Sequence, residues 1–179
     1  MKSIVTHDDE SDLVHQMFVD RTKIFKDRLN WEVKVNDKGE ERDQYDNDNA
    51  AYIILSDDSG RHLASMRMMR LNDACMTTEA FPGLFSRDMI NDIETSVEVT
   101  RFCIIGDQPL LGLKLFIAAA DWMDTTDYTS FVGVFYKPMM RIYRRIGWSP
   151  ELINEYDGLC LGRWKRNSYS QGFILSRDE

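Results

Sequence analysis

The sequence predicts an α/β sandwich with a mixed sheet, and three observations predict it. Apolar segments of strand and helix period follow one another as strand, helix, three strands, helix, strand, helix, and one or two strands. The 179 residues are 43% hydrophobic, enough for one domain with a full-sized core, and hold no internal repeat, low-complexity tract or long linker. No Gly-x-Gly-x-x-Gly follows a strand and no Gly-x-x-x-x-Gly-Lys loop occurs, so the doubly wound dinucleotide fold is not indicated.

The elements follow in order. Lys2 to Val5 reads as a short strand. Asp8 to Ser11 offers helix caps and first-turn acids, and a helix from about Asp12 to Phe25 carries Leu13, Met17, Phe18, Ile24 and Phe25 as a broken apolar stripe. Arg21, Phe25 and Arg28 lie near one side of its end, with Trp31 just beyond. Residues 35–49 are polar and acidic and read as a loop, free to move when nothing is bound, whose Asp43 and Asp46 composition assigns to solvent.

Ala51 to Leu55 is a buried strand, Asp57-Asp-Ser-Gly60 a hairpin turn, and Arg61 to Leu71 the returning strand. Arg67 and Arg70 are three apart on it and point to opposite faces. Residues 72–91 read as irregular, with a turn in Phe81-Pro-Gly-Leu-Phe85. Thr95 to Ile105 alternates like a half-buried strand, yet carries Glu98 and Arg101. Burying either charge alone is expensive, so each must be paired, solvated in a cleft or used. An inward acid beside a substrate cleft is a place to keep a base. Their spacing of three points them to opposite faces of an ideal strand, unless a bulge re-aims one.

Gly106 to Pro109 breaks that strand. Leu110 to Met123 is an apolar helix with Leu115, Phe116 and Trp122, and Phe131 to Phe135 a core strand. Lys137 to Ile146 is a helix with Arg141, Arg144 and Arg145, stopped at Gly147, and Leu159 to Trp164 is a last strand.

Charge and composition exclude several classes. The net charge of −8 argues against a general nucleic-acid binder. No apolar run is long enough to span a membrane, and the N-terminus has no hydrophobic signal core. Cys75, Cys103 and Cys160 are odd in number and far apart, which fits a reduced, cytoplasmic protein with packed thiols. His7, His15 and His62 lack ligand spacing, so no metal site is expected. Gly-x-Ser-x-Gly is absent, and no nucleophilic triad can be assembled. What remains is a set of acids and arginines, each explicable singly as a solvated charge. The basic helix face of Lys137, Arg141, Arg144 and Arg145 stands out in an acidic chain, either as a solubilising face or as a dock for an acidic partner.

Taken together these residues resemble the acyl-homoserine lactone synthases, the autoinducer synthases of bacterial quorum sensing. The matching positions are Arg21 with Phe25 and Trp31, then Asp43-Gln-Tyr-Asp46, Arg67, Phe81, and Glu98-Val-Thr-Arg101-Phe102. Arg144-Arg-Ile-Gly-Trp148 adds a weaker match. Arg67-Met-Met-Arg-Leu-Asn72 departs from the family's Arg-Leu-Leu-Pro-Thr, which leaves the chemistry in place and acyl-chain preference open.

The resemblance implies a three-layer α/β/α sandwich with a mixed, splayed central sheet, similar to the general N-acyltransferase (GNAT-like) fold. Those enzymes carry an Arg/Gln-x-x-Gly-x-Gly/Ala loop for coenzyme A; Gly106-Asp-Gln-Pro-Leu-Leu-Gly112 lacks it, which favours the synthases. It also implies S-adenosylmethionine as a substrate, no cofactor, an acyl donor carried on acyl carrier protein more than on coenzyme A, and a monomer. Glu98 is then the catalytic base, with Arg101 and Asp46 in the catalytic set. Arg21, Phe25, Trp31, Asp43, Arg67, Phe81 and Phe102 would bind substrate. Leu115, Trp122, Gly133 and Phe135 would line the acyl-chain pocket, with Gly133 where a threonine accompanies 3-oxo chains, so an unsubstituted chain is expected. Lys137, Arg141, Arg144 and Arg145 would dock the acidic carrier. The rivals are an N-acyltransferase using acyl-coenzyme A on another amine, and a non-catalytic protein holding S-adenosylmethionine or an acyl chain.

Overall fold

The computed structural model describes residues 2–6, 11–71, 74–108 and 110–177. His7 to Glu10, Asn72 and Pro109, named above, lie outside them. The chain separates into two compact units, one of Met1–Met68 with Arg101–Leu115, the other of Met69–Thr100 with Phe116–Glu179.

In the first unit, β1 (Lys2–Thr6) runs antiparallel to β2 (Ala51–Ser56), with Ile4 opposite Ile54. β2 in turn runs antiparallel to β3 (His62–Arg70), with Ile53 opposite Met66 and a register shift at Leu55/Ser56. The connecting turn is closed by the Asp57 side chain, which accepts from Ser59 N–H and Arg61 N–H at 3.0 and 2.9 Å, and by Gly60 at φ +82°. β2 is buried along its whole length and β3 up to its last residue, Arg70, which is exposed while Arg67 is buried. Strands buried on both faces read as continuous apolar runs, as Ala51-Tyr-Ile-Ile-Leu55 does.

Helix α1 (Asp12–Arg21) starts at Ser11, whose hydroxyl accepts from Val14 N–H, and buries Val14, Met17 and Phe18. Phe18 meets Tyr52 of β2 edge-on at 5.6 Å. The helix does not end near Phe25. It rewinds as a π-helix over Thr22–Arg28, closed by Leu29 N–H to Ile24 C=O at 3.0 Å and Trp31 N–H to Phe25 C=O at 2.8 Å. The rewinding buries Ile24 and Phe25 with Cys103 and leaves Arg28 exposed, so Arg28 parts from Arg21 and Phe25.

In the second unit, β4 (Ser96–Ile104) begins parallel to β5 (Ser130–Tyr136), from Ser96↔Ser130 to Glu98↔Val132, where the recorded pairing ends although both strands continue. β5 pairs antiparallel with β7 (Leu159–Lys165) over its whole length, and β7 with β6 (Glu151–Tyr156). Parallel and antiparallel ladders on one strand make the sheet mixed. Helix α3 (Leu111–Asp124) contributes Phe116 to an aromatic core of Phe131, Phe135, Tyr143, Trp148 and Trp164, with neighbouring ring centroids 5.0–6.3 Å apart.

Three elements correct the sequence reading. The irregular segment contains a short helix, α2 (Met76–Ala80). The helix expected over Lys137 to Ile146 opens with a 3₁₀ turn at Pro138, so α4 is Met140–Ile146, ended by Gly147 in the left-handed region at φ +90°. A further helix, α5 (Gln171–Arg177), follows β7, whereas β6 fills the second of the one or two strands expected there.

Candidate active site

Three arginines reach one place in the first unit from three elements. Arg21 ends α1, Arg67 lies inside β3, and Arg101 lies on β4 at φ +54°, in the left-handed region. A non-glycine residue there is strained and breaks the strand's alternation. That settles the geometry of the spacing: Glu98 and Arg101 go to different partners, and the strand is re-aimed at Arg101 itself.

The polar loop supplies the acids. Asn36 caps its turn, its side-chain oxygen accepting from Lys38 and Glu40 N–H at 3.0 Å each, with Gly39 at φ +79°. Glu41 N–H then donates to Phe18 C=O at 3.1 Å, pinning the loop to α1. Asp43 and Asp46 close a second turn on each other, Asp43 N–H to Asp46 Oδ2 at 2.9 Å and Asp46 N–H to Asp43 C=O at 3.1 Å.

The result is an interlocked ionic set. Arg21 grips Asp46 with two parallel bonds of 2.9 Å and donates from Nε to Glu41 Oε2 at 2.6 Å. Arg67 Nη1 bridges Asp43 Oδ1 at 2.6 Å and Asp46 Oδ1 at 3.0 Å. Arg101 Nη2 bridges Glu41 Oε1 at 3.0 Å and Asp43 Oδ2 at 2.7 Å. Tyr52 donates to Asp46 Oδ1 at 3.0 Å. Three guanidinium groups face three carboxylates, so the buried set is neutral as a whole.

Composition had assigned Asp43 and Asp46 to solvent. The structure corrects this: the side chain of Asp46 is wholly buried and that of Asp43 is 13% exposed. Their arginine partners lie more than twenty positions away in sequence, beyond the reach of local composition. Burial alone would raise the Asp46 carboxyl, but Arg21 and Arg67 outweigh it and hold the group well below the ordinary carboxylate range. Burial would likewise strip Arg21 of its proton, and Asp46 and Glu41 hold it on. The Tyr52 phenol is pushed up by burial and by Asp46.

Glu41 is the member that sequence reasoning missed. Three arginines bound for burial need three acids, and only two had been named; that imbalance was the available signal. The outermost members are Arg101 and Asp43, with side chains 9% and 13% exposed. Beside them the Phe25 ring lies 5.6 Å from the Arg101 guanidinium and stacks on Trp31 at 5.1 Å with planes 5° apart. Trp31 stays exposed.

Glu98 is fully buried in the second unit. Its carboxylate accepts from Met76 N–H at 3.2 Å and, in a very short bond, from Thr77 N–H, both in the first turn of α2. Thr78 locks that turn, accepting from Cys75 N–H at 3.2 Å and donating to Cys75 C=O at 2.9 Å. Burial and the charge of Glu98 push the Cys75 thiol up to about 12, so it stays protonated and unreactive.

The remaining predicted residues are placed as follows. Phe81 and Phe102 are half-buried. Gly133 is buried, and a Cβ there would sit 3.0 Å from Val99 C=O and 3.5 Å from the Trp164 ring. Phe135 packs on Tyr143 and Trp164 at 5.1 and 5.5 Å, and Trp122 stacks on Tyr128 and Phe131. Leu115 is fully buried and belongs to the first unit. Arg141, Arg144 and Arg145 are exposed along one side of α4, whereas Lys137 is engaged by Glu155 at 2.7 Å. Among the described residues no three His, Cys, Asp or Glu groups are arranged to hold a metal ion, and no helix is long and apolar enough to cross a membrane.

The family model described as autoinducer synthase matches residues 5–163. An acyl-homoserine-lactone synthase of Rhizobium etli is 34% identical over 160 residues, 83% of this chain and 75% of that protein. One from Agrobacterium fabrum is 30% identical over 149 residues, 78% of this chain and 70% of that protein. Among solved structures, TofI in a ternary complex with an inhibitor and MTA superposes with a TM-score of 0.80 at 20% identity, covering 98% of this chain and 97% of that one. The CoA-dependent acyl-homoserine lactone synthase BjaI superposes at 0.79 and 16% identity, covering 98% and 85%. An acyl-CoA N-acyltransferase from Pseudomonas aeruginosa superposes at 0.62 and 15% identity, covering 91% and 98%. These structural likenesses carry the α/β fold with its mixed sheet, common to the synthases and the N-acyltransferases. The chain belongs to the autoinducer synthase family and is an acyl-homoserine-lactone synthase, an acyltransferase.

Proposed function

We propose that this chain, as one autoinducer synthase domain acting in the cytoplasm, joins S-adenosylmethionine to an acyl group delivered as a thioester. It then closes the lactone and releases methylthioadenosine. The observation that carries the reading is the ionic set: Arg21, Asp43, Asp46, Arg67 and Arg101, named by the family pattern, interlock beside the Phe25–Trp31 stack.

The α-amine of S-adenosylmethionine arrives as an ammonium and must lose a proton before its lone pair can attack. Glu98 takes that proton, directly or through water. The amine nitrogen bonds to the thioester carbon, the tetrahedral oxyanion collapses, and the carbon–sulfur bond breaks. The departing thiolate takes the second amine proton. The substrate carboxylate then attacks its own γ-carbon, and the sulfonium leaves as neutral methylthioadenosine. Ring closure is intramolecular and gains from high effective concentration.

Arg21 and Arg67, with no outward surface, hold the acids in place; Arg101, at the edge of the set, meets the substrate carboxylate. Trp31 and Phe25 cover the adenosyl group. The acyl chain runs beside β5 near Gly133, and the close approach of Val99 C=O there favours an unsubstituted chain. The donor is acyl carrier protein, drawn to the exposed arginines of α4 in an otherwise acidic chain. Solved neighbours described as CoA-dependent favour coenzyme A as a second reading.

The test is incubation of the purified protein with S-adenosylmethionine and either a hexanoyl carrier protein or hexanoyl-coenzyme A, read by mass spectrometry. Lactone and methylthioadenosine are expected together. An acylated amine without lactone points to an ordinary N-acyltransferase, and binding without any product to a holding protein.

A further inference from the structure

Thr77 is fully buried and its two polar groups differ. Its backbone N–H is spent on Glu98 Oε2. Its hydroxyl has no hydrogen-bond partner among the described residues. The neighbouring Thr78 hydroxyl, by contrast, both accepts from and donates to Cys75. A buried hydroxyl left unpaired is a cost to the folded chain, and such costs persist where function uses the group. Covalent geometry keeps Oγ1 within a few ångströms of the Thr77 nitrogen, and so beside the carboxylate without bonding to it.

We propose that the Thr77 hydroxyl is a second acceptor for the attacking amine. This rests on the reading of Glu98 as the base. A neutral primary amine has two N–H bonds and one lone pair. With one N–H on Glu98 and the other on Thr77 Oγ1, both N–H directions are fixed and the lone pair is aimed at the thioester carbon. Thr77 neither gains nor loses a proton. Glu98 has already taken the third proton of the arriving ammonium; of the two that remain, the one on Oγ1 passes to the leaving thiolate as the intermediate collapses, and the one facing Glu98 stays as the N–H of the product amide. The placement adds a recognition element to α2: a primary amine satisfies both acceptors, whereas a secondary amine has one N–H too few.

The test is Thr77→Val, which keeps the shape and removes the hydroxyl, assayed with S-adenosylmethionine and hexanoyl thioesters of carrier protein and coenzyme A. The kcat should fall about tenfold, the loss of one neutral hydrogen bond. KM for S-adenosylmethionine should change little. The thermal midpoint should hold or rise, since an unpaired buried group is removed. Thr77→Ser should recover most of the rate. An unchanged kcat in Thr77→Val, a loss that tracks a falling midpoint, or no recovery in Thr77→Ser would overturn the proposal. Glu98→Gln in parallel separates the two ideas. If it retains turnover, the base assignment fails and this proposal with it; if it is inactive while Thr77→Val is normal, only the role of Thr77 fails.

Discussion

Glu98 and Arg101 lie three residues apart on β4 and are held in opposite ways. Glu98 faces no cation among its recorded partners: two backbone N–H groups of α2 meet its carboxylate. Arg101 is held by full charges, Glu41 and Asp43, in a set where each arginine bridges two acids. Neutral donors satisfy the geometry of a buried carboxylate without a partner charge. A lattice of paired charges resists change, because removing one member strands another in a dry interior. The first arrangement suits a group that must accept and return a proton, the second a group that must stay charged and fixed.

Breaking the comparison at Glu98 should have the largest effect. Glu98→Gln keeps the shape and removes the base, and should lower kcat by about 10²–10⁴-fold, measured by methylthioadenosine release; it also turns one accepting oxygen into a donor against a backbone N–H of α2, at a cost of about 1–3 kcal/mol read by denaturant melts. At the other pole the order reverses. Asp46→Asn leaves three buried guanidinium groups facing two carboxylates and should cost about 3–5 kcal/mol of folding stability, measured by urea unfolding. Its pH dependence sharpens the point. The folded Asp46 carboxyl sits below its ordinary value of 3.8. Its contribution is therefore complete above the unfolded value and is lost as pH falls through the lower folded value. The stability gap between wild type and Asp46→Asn should be constant down to about pH 4 and shrink below it.

Two smaller effects test regions outside the comparison. Gly133→Thr should cost roughly 1–3 kcal/mol, because its Cβ would press on Val99 C=O at 3.0 Å, and should not redirect the enzyme to 3-oxo chains. Reversing Arg141, Arg144 and Arg145 to Glu should raise the apparent KM for an acyl carrier protein by roughly tenfold at low salt, less at high salt, and leave S-adenosylmethionine binding alone. Equal effects on both substrates would remove the docking role. Lys137 should matter less, since Glu155 already answers its charge.

What could be read in the sequence followed the length scale of the cause. β2, β3 and their turn were legible because apolar runs flanking Asp57-Asp-Ser-Gly60 are local signals. The π-helical turn was not, since seven residues of amphipathic pattern do not separate an α from a π repeat. Helix α2 has five residues, too few to show a period. The set of Arg21, Asp43, Asp46, Arg67 and Arg101 was legible as a resemblance, but its burial was not, because each acid is desolvated by partners far along the chain. Glu41 was hidden in the run Glu40-Glu41-Arg42, and that the Thr77 hydroxyl has no partner among the described residues depends on contacts that no pattern encodes.

The most direct measurement is a single-turnover reaction of the wild-type protein with S-adenosylmethionine and a hexanoyl thioester, quantifying methylthioadenosine and acyl-homoserine lactone in the same quench. The account predicts that the two appear in equal amounts at the same rate, and that Glu98→Gln suppresses both together. Methylthioadenosine formed without acylation, or lactone formed at the wild-type rate by Glu98→Gln, would contradict it.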